Sequence, residues 1–211
     1  MKPLPHGYTN HTVGDGAAVV KTYAGPDADV RADREHAALT ALAGRVPVPP
    51  VLARAAGRLT LAAVDGAHGQ DLIAAGHPRP VLAACGRILR DIHLAGWAHG
   101  DFGPNNVLLD PRSFAVTAVL DWEFAAHPLA DPVPDLAWCE WIVRTHHAGH
   151  RPDLDTFFAA YGYRPLWPDR RAAMVRRCRE LLEFVRRWDP VGAGVELWQR
   201  RVAATASWTE G

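Results

Sequence analysis

Asp101 and Asn106 stand five positions apart in His99-Gly100-Asp101-Phe102-Gly103-Pro104-Asn105-Asn106, a polar loop carrying two glycines and a proline. A second aspartate, Asp121, follows a short hydrophobic stretch. Val107 to Leu109 predicts one strand, Asp110-Pro111-Arg112-Ser113 the turn, and Phe114 to Leu120 the returning strand. An antiparallel hairpin sets the residue entering its first strand beside the residue leaving its second. Asn106 and Asp121 are therefore expected side by side, with Asp101 close by on the loop. Mg²⁺ binds through one or two carboxylates together with substrate phosphates, and an amide oxygen and a carboxylate on a fixed hairpin suit it. The chemistry implied is magnesium-dependent phosphoryl transfer, with Asn106 and Asp121 as the two oxygen ligands and Asp101 as a third carboxylate beside them. Taken singly, the same residues are common turn residues whose polar ends face water.

Such a site needs elements that bring in a cation for the phosphates. The lysines and arginines together number 23, yet only Lys2 and Lys21 are lysines. Lys21 sits in Ala17-Ala18-Val19-Val20-Lys21-Thr22-Tyr23, a β-branched and aromatic run that predicts a strand. A compact ammonium suits phosphate oxygens, and arginine is not an equivalent there. Alone, such a lysine reads as one extending to solvent. A helix is predicted from about Arg34 to Ala43, with Asp33 as N-cap, Gly44 as the stop and Glu35 in its first turn. The ordered set Lys21, Glu35, Asp101, Asn106 and Asp121 follows the element types of the kinase phosphoryl-transfer template.

These residues carry a resemblance. His99-Gly100-Asp101 with Asn106, followed by Val119-Leu120-Asp121-Trp122-Glu123, resembles the aminoglycoside phosphotransferase and choline kinase-like family, a small-molecule branch of the protein-kinase fold. Val46-Pro47-Val48-Pro49-Pro50-Val51-Leu52 is similar to the family's proline-rich link. Asp131-Pro132 with Asp135-Leu136-Ala137-Trp138 is similar to its segment after the metal ligand. The likeness extends from about Gly7 to Trp141. It implies that Asp101 orients the acceptor hydroxyl and that Asn106 and Asp121 bind Mg²⁺. It also implies that Lys21 touches the α- and β-phosphates of ATP or GTP, that Glu35 braces it, and that His99 shapes the loop. The Gly7-Tyr8-Thr9-Asn10 turn would cover the phosphates. The backbone from Ala62 to Val64 would meet the purine edge, although the same stretch is also simply the end of a strand.

The fold implied is α+β, protein-kinase-like and two-lobed, with a small β-rich N-terminal lobe over 1–66 and a mostly helical C-terminal lobe over 67–211. Only about twenty residues precede Lys21, which leaves an abbreviated first strand near Met1 to Pro5. Arg58 to Val64 is the predicted last strand of the first lobe, and Gly66-Ala67-His68-Gly69 a hinge or loop. Val81, Leu82, Cys85, Ile88, Leu89 and Ile92 recur at helical spacing between Pro80 and Gly96, predicting a buried scaffold helix that delivers the Asp101 loop.

Composition excludes more than it assigns. A formal net charge of zero lacks the basic footprint of nucleic-acid binding. No apolar run approaches a membrane span, and the first residues lack a signal-peptide core, so a cytoplasmic location is expected. Cys85, Cys139 and Cys178 indicate neither a disulfide framework nor a zinc site. His146, His147 and His150 read as a solvated helix end.

The acceptor must be read from the last third. A polycationic acceptor requires acids, and Glu140, Asp153, Asp155, Glu180 and Glu183 are the candidates. Yet about nine arginines against five acids lie between Asp169 and Arg201. Most are expected on a solvated helix face, and any that face the cleft favour a neutral or anionic acceptor. Trp138, Trp141, Trp167, Trp188 and Trp198 are more often core than stacking platforms for a ligand. The reading is a small-molecule kinase, monomer or homodimer, acting on an aminoglycoside-like, sugar or amino-alcohol hydroxyl. Two alternatives remain: a nucleotide-binding regulatory module without transfer activity, and a metal-dependent phosphohydrolase that dispenses with Lys21.

Overall fold

β-Branched and aromatic residues from Val19 to Tyr23 form a strand that lies inside a sheet. In a computed structural model, which describes residues 2–3 and 10–210, the chain opens with strands β1 (Lys2–Pro3), β2 (Asn10–Gly14) and β3 (Ala18–Tyr23). Helix α1 (Ala28–Leu42) follows, then β4 (Val51–Ala55) and β5 (Arg58–Ala62). These strands make one antiparallel sheet in the order β1-β2-β3-β5-β4. Lys21 pairs with Thr12 on one side and Leu59 on the other, which fixes it mid-sheet.

Helix α1 starts earlier than the sequence suggested. Asp27, in a left-handed conformation, is its N-cap, so Asp33 caps nothing and pairs with Arg54 on the surface. Gly25 and Pro26 break the chain, and Ala28 to Ala32 propagate helix once past them. Glu35 consequently lies in the middle of α1 rather than in its first turn. Strand β5 also ends at Ala62, short of Val64. The expected Gly66–Gly69 hinge contains a short strand, β6 (Ala67–His68), followed by α2 (Gly69–Ala74). Strand β6 fills the open edge of β7 (Val107–Leu109), which pairs on its other side with β8 (Val116–Val119). A Cβ on Gly69 would stand 2.8 Å from the Pro104 carbonyl oxygen, so glycine permits this close approach. Strand β8 is shorter than Phe114 to Leu120 because Phe114 takes positive φ in the turn.

The remainder is helical: α3 (Pro78–Leu94), α4 (Val133–His146), α5 (Leu154–Tyr161), α6 (Trp167–Trp188) and α7 (Ala193–Ser207). The apolar face of α3 is buried as its periodicity predicts, with Val81, Leu82, Cys85, Leu89 and Ile92 fully enclosed. Each such side chain contributes about 1.5–3 kcal/mol. Helix α5 lies so close that a Cβ on Gly86 would meet the Phe157 carbonyl oxygen at 2.3 Å. A second apolar cluster joins Ala137, Trp138, Trp141 and Ile142 of α4 to Ala173, Met174 and Cys178 of α6. The three cysteines are free and buried. Among the described residues no helix is long and apolar enough to cross a membrane.

Candidate active site

The loop after α3 is shaped by one buried carboxylate. Asp135, in the first turn of α4, accepts the backbone N–H of His99 at 2.7 Å and of Gly100 at 2.8 Å, one on each oxygen. His93 adds a third contact at 3.1 Å. Burial pushes the Asp135 carboxyl up, but the His93 contact, the neighbouring histidines and the His99 amide outweigh it and hold it below the usual range. His99 Nδ1 accepts the Asp101 amide at 3.2 Å, so Nε2 carries the proton and donates to the Leu120 carbonyl at 2.8 Å. Burial depresses the His99 pKa, and the ring works as a neutral brace.

The hairpin brings the polar residues together. Leu120 donates its amide to the Asn106 carbonyl at 2.8 Å, which sets Asn106 beside the residue preceding Asp121. Asn106 Nδ2 donates to the Asp101 carbonyl at 2.8 Å and to its Oδ2 at 3.2 Å. That contact fixes the amide and leaves its oxygen as the free end. Asp121 takes a left-handed conformation, φ 60°, ahead of the turn Trp122–Phe124. Such a backbone is uncommon outside glycine and concentrates at functional sites.

Lys21 closes the group from the other side. Its Nζ lies 2.6 Å from Glu35 Oε2 and 2.6 Å from Asp121 Oδ1, and its side chain is 5% exposed. Burial pulls its pKa down, but Asp121, Glu35 and Glu123 together raise it well above normal, so the ammonium is charged. Lys21 in turn holds Asp121 below the usual carboxylate range against the effect of burial. Tyr23 donates its hydroxyl to Glu35 from the same strand. Asp101 behaves differently: burial lifts it to about 6, against the pull of Arg177 and the indole hydrogen bond of Trp138.

Asn106 and Asp121 thus offer an amide oxygen and a carboxylate, 40% exposed, a donor set that fits a hard divalent cation completed by phosphates. Among the described residues no group of three or more His, Cys, Asp or Glu gathers to hold a metal by itself. The Ala62 and Ala63 amides are committed to the Pro50 and Ala17 carbonyls, at 2.8 and 3.0 Å. The Val64 amide meets no backbone carbonyl among the described residues. Of the turn expected over the phosphates, Gly7 to Thr9 lie outside the described residues. Asn10 opens β2, and its Nδ2 donates to Glu123 at 2.8 Å.

Several residues gain from the structure a place at the site that the sequence did not assign them. Arg31 of α1 is fully buried and pairs with Glu123 at 2.6 Å, two residues after Asp121. Trp138 Nε1 donates to Asp101 Oδ1 at 2.7 Å, and its ring stacks on Trp141 with centroids 4.4 Å apart. Trp138 follows Asp135 by one helical turn, and that spacing was the available signal. Arg177 of α6 lies over the Phe124 ring at 4.6 Å and the Trp138 ring at 5.8 Å. Its Nε and Nη2 are buried without an acceptor. Stacking returns about 0.5–2 kcal/mol, whereas each orphaned donor costs about 1–3 kcal/mol.

The acids suggested for a polycation are otherwise engaged. Glu140 is buried and binds Arg170 at 2.5 Å and Arg144 at 2.8 Å. Asp153, Asp155, Glu180 and Glu183 pair with His150, Arg164, Arg177 and Arg186. The solvated arginine face holds for Arg171, Arg176, Arg179, Arg186 and Arg187, but not for Arg170, which is enclosed, nor for Arg177.

Known proteins were compared with this arrangement. The chain matches the model of the phosphotransferase enzyme family over residues 1–98 and 95–175. No curated protein sequence matches it. Among solved structures, the GDP complex of wild-type aminoglycoside 2'-phosphotransferase-IIIa superposes with a TM-score of 0.74 at 14% identity, covering 98% of this chain and 92% of that one. The apoenzyme of macrolide 2'-phosphotransferase MphH from Brachybacterium faecium gives 0.61 at 16% identity, covering 100% and 93%. ADP-bound aminoglycoside phosphotransferase APH(2'')-Ib gives 0.64 at 11%, covering 98% and 91%. At these identities the structural likeness carries the fold, and the family match carries the membership. The chain belongs to the phosphotransferase enzyme family, as a small-molecule phosphotransferase on the kinase-like α+β fold.

Proposed function

We propose that the protein transfers the γ-phosphate of ATP or GTP to a hydroxyl group of a small molecule in a Mg²⁺-dependent reaction. The observation that carries this reading is the Lys21 ammonium, held 2.6 Å from both Glu35 and Asp121 beside the Asp101–Asn106 loop. Residues 1–66 would form the nucleotide lobe and 67–211 the catalytic and acceptor lobe. Lys21 binds the α- and β-phosphates, and Glu35 and Tyr23 hold it in place. The Val64 amide is a donor for the purine edge near Ala62, and Asn10 anchors the start of β2 to Glu123. Asn106 and Asp121 would hold the metal, which would supply positive charge to the phosphates.

Asp101 accepts the hydroxyl proton as the new oxygen–phosphorus bond forms and the bond to the nucleoside diphosphate breaks. With little covalent work for the protein to do, the rate comes from positioning and charge neutralisation. The relatives whose structures carry GDP, ADP, aminoglycosides or the macrolide phosphotransferase name support a nucleotide donor and a hydroxyl-bearing acceptor. The test is Mg²⁺-dependent transfer of labelled γ-phosphate from ATP and GTP to hydroxylated small molecules, with Asp101→Ala as control. A labelled product absent in the control is expected. Tight nucleotide binding with no nucleotide turnover, even to water, would overturn the transfer reading.

A further inference from the structure

Helix α6 brings Arg177 over the Phe124 and Trp138 rings, beside the Asp101 loop. The two rings beneath its guanidinium belong to residues that border the Asp101 loop. Trp138 donates to Asp101 Oδ1, and Phe124 closes over Gly100, where a Cβ would meet its carbonyl oxygen at 2.3 Å. Arg177 makes no direct ion pair with Asp101 among the described residues. Its ion pair is with Glu180, at 3.4 Å. It is nevertheless the strongest attraction acting on the Asp101 carboxylate. The donors it leaves unmatched are Nε and Nη2. They share one edge of the guanidinium, the edge that grips a carboxylate or phosphate through two parallel hydrogen bonds.

The buried acid on the Trp138 helix has no charge left for a polycation. Glu140 is consumed by Arg170 and Arg144, and Arg201 covers the neighbouring Trp141 and Trp198 rings at 5.4 and 4.6 Å. An ammonium seated against Arg177 would face a like charge.

Building on the phosphotransfer reading, we propose that Arg177 determines acceptor specificity. The acceptor carries an anionic group, carboxylate or phosphate, close to the hydroxyl it presents to Asp101. The anion engages the Nε/Nη2 edge, and Arg177 turns toward the cleft to receive it. Arg177 takes no part in bond making; the hydroxyl proton still goes to Asp101 and the diphosphate still leaves.

Two measurements test this. The first compares transfer to matched acceptors: short hydroxy acids, their amides, the corresponding amino alcohols, glycerol phosphate, and kanamycin as the polycation. Wild type is expected to favour an acid or the phosphate over its uncharged counterpart by about tenfold or more, the value of one charge-assisted contact. The acid and phosphate arms tell the two anion sources apart. Arg177→Gln removes the preference through KM and leaves nucleotide KM unchanged, while Arg177→Lys restores part of it. The second measurement needs no turnover: equilibrium binding of malonate and of inorganic phosphate to protein loaded with Mg²⁺ and a non-hydrolysable nucleotide. Binding about tenfold weaker in Arg177→Gln than in wild type is expected. Equal binding in the two, or a preference for kanamycin or amino alcohols that Arg177→Gln does not alter, overturns the proposal. Loss of nucleotide turnover in wild type would instead count against phosphotransfer, and the anion-binding arm would still read Arg177.

Discussion

Trp138 Nε1 donates to Asp101 Oδ1 across 2.7 Å, while Asn106 Nδ2 reaches the other oxygen at 3.2 Å. A carboxylate held at both oxygens has one orientation, and the shorter bond comes from a ring locked in a stack with Trp141 and Trp198. Trp141 is itself tied to α7 through Thr205 Oγ1 at 2.9 Å. The orientation of the Asp101 carboxylate is thus tied to the stacking of α4 tryptophans on Trp198 of α7 as well as to Asn106.

Trp138→Phe keeps the stack and removes the donor. Hydrogen bonds to charged groups contribute about 1.5–3 kcal/mol, so kcat is expected to fall about tenfold or more. In the proposed reaction Asp101 acts as a carboxylate, so activity is expected to be lost as pH falls through its pKa of about 6. The indole N–H stabilises the charged form, so its removal moves that acid limb to higher pH. A kcat–pH profile of transfer, with nucleotide KM as the control, checks both. An unchanged limb would make Trp138 a packing residue only.

Asp101→Asn should abolish transfer and stabilise the fold at pH 8. Burial raises the carboxyl to about 6 in the folded protein, against about 3.9 in an unfolded chain. The folded state therefore binds the proton more tightly. Stability is lost as pH rises from the unfolded value through the folded one, and the charge is a burden at pH 8. The amide carries no charge. With its oxygen on Trp138, its NH2 faces the Asn106 donor across the longer, 3.2 Å contact, so the gain is smaller than the pKa shift alone implies. Urea midpoints at pH 8 and pH 4.5 should show Asp101→Asn ahead of wild type at the higher pH, with the gap shrinking at the lower.

The Asp101–Asp121 hairpin was readable from sequence because its signals are local: a short apolar run on each side of an Asp-Pro turn, and polar ends fixed by register. Lys21 was readable as a strand residue for the same reason. Arg31 was not, because the helix start was placed at Arg34, past it. With α1 beginning at Ala28, Arg31 and Glu35 fall four apart on one buried face, and the partner Glu123 comes from a distant turn. Glu140 was misread as available for a ligand because nothing local announces Arg170, thirty residues later. Asn10 and Arg177 depend likewise on tertiary contacts. Pairing of buried charges across elements is decided by packing, and a single sequence does not display it.

Glu35→Gln separates two roles of the lysine. Breaking a buried pair by removing one partner costs about 3–5 kcal/mol when the other charge is left alone. Lys21 still has Asp121 at 2.6 Å, so the loss in unfolding free energy should fall below that range. The lysine then leans toward Asp121, the proposed metal ligand. Nucleotide KM and the Mg²⁺ concentration for half-maximal rate are expected to rise about tenfold, the size of one lost charge-assisted contact. Unchanged Mg²⁺ dependence would argue against competition between Lys21 and the metal for Asp121.

The Arg31–Glu123 pair, with Asn10, joins α1 and the start of β2 to the segment just after Asp121. Arg31 also donates to the Pro26 carbonyl at 3.0 Å and to the Ala24 carbonyl, so it staples the turn that launches α1. Both charges are enclosed, 2% and 4% exposed. Arg31→Met leaves Glu123 buried with Asn10 as its remaining named partner, and about 3–5 kcal/mol of stability should go. That is a large share of the roughly 5–15 kcal/mol that folded domains possess. Glu123→Gln alone should cost less, because Arg31 keeps two backbone carbonyls. The double variant should recover part of the Arg31→Met loss, since no unpaired carboxylate remains. A double-mutant cycle by urea unfolding measures the coupling. Additive losses would mean that Arg31 acts through the Ala24 and Pro26 carbonyls, and that Glu123 does not tie α1 to the Asp121 segment.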